Sequence, residues 1–301
     1  KHVSDESMHA SDMAFKAARS ALKNTDPLEI DVIIYFGSPH KDYLVWSIAP
    51  KIQYELGAKK AYAFEMMNVS SNFPIALKVA KDMLVSDHSI QNILLVGGFK
   101  EAQILDYQNP RSRFMFNFAD VGAAALLKRG DVNNRILGSS FITDGSFHDD
   151  VKVPAGGSAV PASVDTVNQG LHYIDVKNPT DMKERLDPVS LLNFVSVVEK
   201  AVKNSGYHIE DIDLLFIKRK FHNSWIDKEN GLYTNEWKVL RKVGSEDTHD
   251  YIDGPIKTIN DLKNLKIPDP LDDYIFNDLI EAVNKYKKNK IICFFSKATF
   301  N

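Results

Sequence analysis

The sequence predicts an α/β fold built on a mostly parallel sheet. Two observations carry this reading. Short apolar runs alternate with helix-periodic segments over residues 31–99, the order that parallel sheets with crossover helices produce. The runs also end in Gly, Ser or Asn, the residues that stop strands and cap helices.

The elements follow in order. Met8, Met13, Ala14, Ala17, Ala18, Ala21 and Leu22 recur near helical spacing, so a helix is expected over the segment ending at "KNT". "DVIIYFGS" (31–38) is a buried strand ended by Gly-Ser. "WSIAPKIQYELGA" (46–58) is a helix closed by Gly57. "AYAFEMMNV" (61–69) is the next strand. "FPIALKVAKDMLVSD" (73–87) is a helix with Phe73, Leu77, Ala80 and Leu84 on one face and Pro74 in the first turn. "QNILLVGGF" (91–99) is a strand, and "DVGAAALLKRG" (120–130) and "RILGSSFITDG" (135–145) read as adjacent strands. A helix over 190–207, ended by Gly206, precedes a strand over 211–219. The phrase "IEDIDLLFI" (209–217) echoes "PLEIDVIIYF" (27–36), which suggests an internal duplication.

After about residue 220 the texture changes. Residues 221–254 have little periodicity, many polar residues and two of the three tryptophans, Trp225 and Trp237. Thr258 and Asp261 then stand at capping-box spacing, and Pro268 and Pro270 stop that helix. A helix is expected over 274–290 and a strand over 291–295, "IICFF".

Composition narrows the function classes. A net charge of -3 gives no basic field for nucleic acid. Apolar runs such as "ILLVGGF" are too short to span a bilayer, and Lys1-His2-Val3-Ser4-Asp5 carries neither part of a signal peptide. A cytoplasmic protein without nucleic-acid or membrane partners is the expectation. Cys293 is the single cysteine, so neither an internal disulfide nor a cysteine-based zinc cluster is expected. The first helix starts so close to Lys1 that a missing N-terminal segment is expected.

Chemistry concentrates at "MNVSSNFP" (67–74), where a strand turns into a helix. A side chain at such a corner is exposed near a helix N-terminus, whose free N–H groups favour negative charge. A thiol there becomes a thiolate, whereas a serine needs a positioned base. Ser70, Ser71 and Asn72 also suit a plain helix cap. "VGG" (96–98), "DVGAA" (120–124) and "PAGGS" (154–158) fit no phosphate or dinucleotide loop and read as turns. His148 in "GSFHDD" reads as a residue of a solvated acidic loop, without a metal. His222-Asn223 follows a strand end, where α/β ligands gather, and reads otherwise as an ordinary loop pair.

The order of these pieces resembles the ketoacyl-ACP synthase III family of the thiolase superfamily over about residues 5–219. The resemblance rests on "SDMAFKAARSALKNTDPLEIDVIIYFGS", "KIQYELGAKKAYAFEMMNVSSNFPIALKVAKDML", "NILLVGGFKEAQILDYQNPRSRFMFNFADVGAAALL", "ILGSSFITDGSFHDDVKVPAGGS" and "IEDIDLLFI". It implies an incomplete thiolase-like layered α/β fold that lacks the family's opening strand. It also implies acyl transfer from acyl-CoA or an acyl carrier protein in fatty-acid or related acyl metabolism, followed in the family by decarboxylative condensation with malonyl-ACP. No cofactor is implied beyond these thioester substrates, and a homodimer or heterodimer is the implied assembly.

By the same resemblance, Ser70 stands at the position of the family's catalytic cysteine, and Gly156 and Gly157 belong to the kept "PAGGS" substrate loop. A direct count puts Lys218 at the family's histidine, with His222 four residues later as a candidate base. The "GDGAGA" type segment reads Ala119-Asp120-Val121-Gly122-Ala123-Ala124, with two glycines replaced, and the later Gly-Asn segment has no counterpart. Serine in place of cysteine implies an altered or impaired nucleophile, acyl transfer without assured condensation, or a non-catalytic acyl-binding or partner subunit.

Residues 220–301 are similar to the front of the uroporphyrinogen decarboxylase and corrinoid methyltransferase family, on "GLYTNEWKVLRKVG", "YIDGPIKTINDLKNLKIPDP" and "LIEAVNKYKKNKIICFF". That resemblance implies the start of a (β/α)8 barrel, a methyl-transfer role only if a complete barrel follows, and a fusion or fragment of two family fronts. No site residue transfers from it.

Overall fold

The computed structural model describes residues 2–132, 134–208, 211, 214–218, 224–234, 238–243, 249–254, 261 and 291–295. The chain divides into two compact units, Lys1–Tyr207 and His208–Asn301.

The first unit is organised by a four-stranded sheet in the order β2-β1-β3-β4. Its strands are β1 (Val32–Tyr35), β2 (Tyr62–Glu65), β3 (Asn92–Lys100) and β4 (Asp120–Lys128). β1 pairs in parallel with β2 and β3, and β4 closes the edge antiparallel to β3. Its helices are α1 (Ala10–Ala21), α2 (Ile48–Leu56) and α3 (Asn72–Ser86), so the expected strand–helix alternation over 31–99 is present.

β1 is apolar at every position because both faces are covered. Ile33 and Tyr35 join Ala10, Ala14, Ala18, Ile48 and Ile52 in one core layer. Val32, Ile34 and Phe36 join Ala76, Ala80 and Leu84 of α3 in the other. α2 ends at Gly57, whose φ of 73° is the left-handed cap that its position in the sequence suggests.

The glycines of "VGG" and "DVGAA" do not make turns. Gly98 and Gly122 face each other in the β3–β4 ladder, under α1. A Cβ on Gly98 would meet the Ala10 carbonyl oxygen at 1.8 Å, and one on Gly122 would meet that of Met13 at 2.1 Å. Their role is close approach of a helix backbone to the sheet.

Residues 135–145 form no strand. Two of their carbonyls accept from side chains: Lys81 Nζ donates to Leu137 O and Asn204 Nδ2 to Ser139 O. The turn Gly145–Phe147 follows, then the two-residue strands β5 (Val151–Lys152) and β6 (Asp175–Val176), with the short helix α4 (Val164–Asn168) between them.

The helix expected over 190–207 starts earlier, as α5 (Pro179–Asn204). Asn178 caps it by accepting from the Asp181 N–H at 3.2 Å, and Pro179 occupies the first turn. Pro188 lies inside the helix without ending it.

In the second unit, β7 (Leu214–Lys218) pairs in parallel with β12 (Ile291–Phe295), so the "IICFF" strand has a partner. The segment of little periodicity holds a four-stranded antiparallel sheet in the order β11-β10-β9-β8. Its strands are β8 (Ser224–Asp227), β9 (Leu232–Thr234), β10 (Leu240–Val243) and β11 (His249–Asp253). Asn230-Gly231 turns the first hairpin, with Gly231 at φ 68° and the Asn230 N–H bonded to Asp227 Oδ1 at 3.1 Å. The helix expected over 274–290 lies outside the described residues.

Candidate active site

Ser70 sits on a single 3-10 turn, Val69–Ser71, that leads directly into α3. The turn is exposed, and among the described residues no hydrogen bond engages the Ser70 hydroxyl. Ser71 is the N-cap residue of α3, yet its side chain makes no cap bond. The plain capping role that Ser and Asn suggest is therefore not what these hydroxyls do.

Val69 has φ 43°, a conformation a β-branched residue rarely adopts. Its side chain is exposed, so packing does not explain it. The strain lies one residue before the candidate nucleophile, a place where strained backbone is often stored.

Asn72 anchors the turn from beneath. It is 1% exposed, and its Nδ2 donates to Phe36 O and to Met66 O, both at 2.8 Å. Phe36 follows β1 and Met66 follows β2, so the amide gathers the ends of two parallel strands. With Asn72 turned inward, α3 buries Asn72, Ala76, Ala80 and Leu84. Phe73, expected on the core face, is pushed toward solvent and tilts against Phe36 at 4.8 Å between ring centres.

A largely buried ion pair supports the same end of the sheet. Glu65, the last residue of β2, accepts from Lys41 Nζ at 2.8 Å and from the Ile48 N–H at 2.5 Å. Its carboxylate thereby caps α2, where the helix dipole favours negative charge. Lys41 Nζ also donates to Trp46 O.

Asp120 is the acidic residue of the altered "GDGAGA" segment. It accepts from Ser4 N at 2.8 Å, Ser4 Oγ at 2.9 Å and Ala102 N at 3.0 Å. Burial alone would raise its pKa, but these hydrogen bonds and nearby Lys100 hold it below the usual carboxylate value. Asp120 ties the N-terminal segment to β4.

The "PAGGS" loop does turn, with Gly156 at φ 102°. Ala155 N donates to Leu171 O and Gly156 N to Val160 O, each at 2.9 Å. His172 lies beside Gly156 and bonds Thr166 Oγ1 at 2.9 Å. Among the described residues no hydrogen bond joins Gly156 or Gly157 to the Ser70 turn. His222 lies outside the described residues, as does the side chain of Lys218.

The carboxylates beside His148 are ion-paired rather than simply solvated. Asp149 meets Lys152 and Lys177, and Asp150 meets Arg185 at 2.7 Å. Among the described residues no group of three His, Cys, Asp or Glu side chains could hold a metal, and no helix is long and apolar enough to cross a membrane. Two clefts among the described residues, of about 440 and 310 Å³, flank α1 and include no residue of the Ser70 turn.

Residues 64–145, which run from the last two residues of β2 through the Ser70 turn, α3, β3 and β4, match the family model described as 3-oxoacyl-[acyl-carrier-protein (ACP)] synthase III. The beta-ketoacyl-[acyl-carrier-protein] synthase III of Syntrophomonas wolfei is 32% identical over 221 residues, covering 71% of this chain and 62% of the relative. That of Natranaerobius thermophilus is 26% identical over 285 residues, covering 93% and 80%. The crystal structure of 3-oxoacyl-[acyl-carrier-protein] synthase III from Aquifex aeolicus superposes with a TM-score of 0.56 at 25% identity, over 72% of this chain and 63% of that one. The chain thus spans under two thirds of the length of the Syntrophomonas relative and the Aquifex structure. Together these matches relate the chain to the 3-oxoacyl-[acyl-carrier-protein] synthase III family and give it that family's thiolase-like mixed α/β fold.

Proposed function

We propose that this protein is an acyltransferase of the 3-oxoacyl-ACP synthase III type with serine as its acyl acceptor. The Ser70 oxygen attacks the carbonyl of an acyl-CoA or acyl-ACP thioester. A C–O bond forms, the C–S bond breaks, and the hydroxyl proton leaves with the thiol. The observation that supports this reading most is the placement of Ser70, an exposed hydroxyl on the strand-to-helix turn within the matched segment. Gly156 and Gly157 are the proposed substrate loop and His222 the proposed base. Dimeric assembly and a cytoplasmic setting belong to the same proposal, as do fatty-acid or related acyl metabolism and the absence of a cofactor beyond the thioester.

One observation favours a second reading. Among the described residues no hydrogen bond ties the Ser70 hydroxyl to a base, and a serine without a base is a weak nucleophile. The protein would then be a thiolase-fold subunit that binds an acyl chain or an active partner. The methyltransferase-like tail over 220–301, with its implied barrel start, is a further proposal that rests on its sequence motif.

Intact-protein mass spectrometry after incubation with a panel of acyl-CoAs separates the readings. An acyl adduct on the wild type that disappears in Ser70→Ala supports the serine acyltransferase. An adduct only on Ser70→Cys supports a competent pocket with a disabled nucleophile. Folded but unreactive wild type and Ser70→Cys would overturn the enzyme reading.

A further inference from the structure

Asn72 holds three carbonyl groups around the Ser70 turn. Its Nδ2 donates to Phe36 O and Met66 O, each at 2.8 Å, and its backbone N–H donates to Val69 O. These are one residue past β1, one residue past β2, and the residue immediately before Ser70. The amide orientation is fixed by chemistry, since the reverse orientation would set its oxygen against two carbonyl oxygens. In the orientation it takes, Oδ1 is buried without a hydrogen-bond partner among the described residues. An amide that leaves its own acceptor unsatisfied is a costly way to fill space. An apolar side chain of similar size would fill the space without that cost, so the amide's contribution lies in what its nitrogen ties together.

We propose that Asn72 is the positioning residue of the Ser70 turn: by clipping Phe36 O and Met66 O while its N–H holds Val69 O, it fixes the left-handed Val69 and the place of the Ser70 side chain at the start of α3. This deepens the acyltransferase reading, on which its relevance to catalysis rests. The turn's geometry is testable without that reading.

The test uses the full chain carrying Ser70→Cys, with alkylation by iodoacetamide followed at residue 70 by peptide mass spectrometry, so that Cys293 does not interfere. The pH profile of that alkylation reports the thiolate at the turn. Asn72→Ala is expected to move the profile upward by about one unit, which is about tenfold slower alkylation at a fixed pH below it. Acylation of the introduced thiol by acetyl-CoA is expected to slow in step. Ala76→Gly serves as the comparison, because it loosens the same buried face of α3 without touching the three carbonyls. It is expected to lower the melting temperature and leave the profile in place. If Asn72→Ala does not fold, Asn72→Ser replaces it, with a single donor and an intermediate shift expected. An unchanged profile in the Asn72 variant, with only the stability loss that Ala76→Gly shows, overturns the proposal. Failure of every variant to accept an acyl group sinks the acyltransferase reading instead, and the alkylation profile still decides the role of Asn72.

Discussion

A methyl group on Gly98 would lie 1.8 Å from the carbonyl oxygen of Ala10. The helix backbone of α1 rides that closely on the sheet, and Gly122, opposite Gly98 in the ladder, leaves the same room below Met13. Backbone on both sides cannot rotate away as a side chain would. Gly98→Ala is therefore expected to destabilise the protein by about 1–3 kcal/mol or more through overpacking. Gly145→Ala, with nothing within 4 Å of the added carbon, is expected to be near neutral. Chemical denaturation of the two variants side by side checks this, and equal midpoints would remove the close-approach argument.

Asp120 makes the fold sensitive to acid. Its pKa is lowered in the folded protein, so its contribution is fully present above the unfolded value. It is lost as pH falls through the folded one. Three donors on one carboxylate should make Asp120→Asn cost about 2 kcal/mol near neutral pH, since hydrogen bonds to a charged acceptor are the stronger kind. The difference between wild type and Asp120→Asn should shrink as pH falls below about 4, the ordinary range of aspartate. Urea titrations at several pH values measure it. A difference that stays constant down to about pH 3, below that range, would contradict the assignment.

The Lys41–Glu65 pair is expected to couple the loop after β1 to the start of α2. Both side chains are largely buried, 16% and 18% exposed, so removing one partner leaves an uncompensated charge. Lys41→Met is expected to cost about 1–3 kcal/mol, less than a fully buried pair would because some solvent reaches it. Lys41→Met combined with Glu65→Gln should recover part of that loss. A double-mutant cycle with no coupling term would show that the two groups act independently.

The sheet and its helices were legible because their signals are local. The Met13, Ala14, Ala18 and Leu22 spacing, Gly57 and the unbroken apolar run of β1 each declare one element. The early start of α5 was also written locally, as Asn178-Pro179 followed by Asp181, and Pro188 lies inside the helix without ending it. The hairpin of β8 and β9 carried its Asn230-Gly231 signal inside a segment whose polarity hid the strand alternation. At the candidate site, the turn and Ser70 could be read from the strand-to-helix change. The role of Asn72 could not, because its partner Phe36 lies 36 residues away and nothing near Asn72 announces it. For the same reason Gly98 and Gly122 read as turn residues until the ladder set them together beneath α1.

Val69 gives the sharpest test of strain beside Ser70. Its φ of 43° is left-handed and its side chain is 69% exposed. Burial therefore offers little return for a conformation that costs an L-residue roughly 1–2 kcal/mol. Asn tolerates this region and, unlike Gly, adds little freedom to the unfolded chain. Val69→Asn is accordingly expected to raise stability by about 1 kcal/mol, where an exposed Val→Asn change elsewhere would be near neutral. Val3→Asn, at a residue 66% exposed and not in the left-handed region, is the matched comparison. Thermal unfolding of the two variants decides the matter. A gain at Val69 alone means that the turn before Ser70 stores strain, and no gain at either position means that the surrounding hydrogen bonds already relieve it.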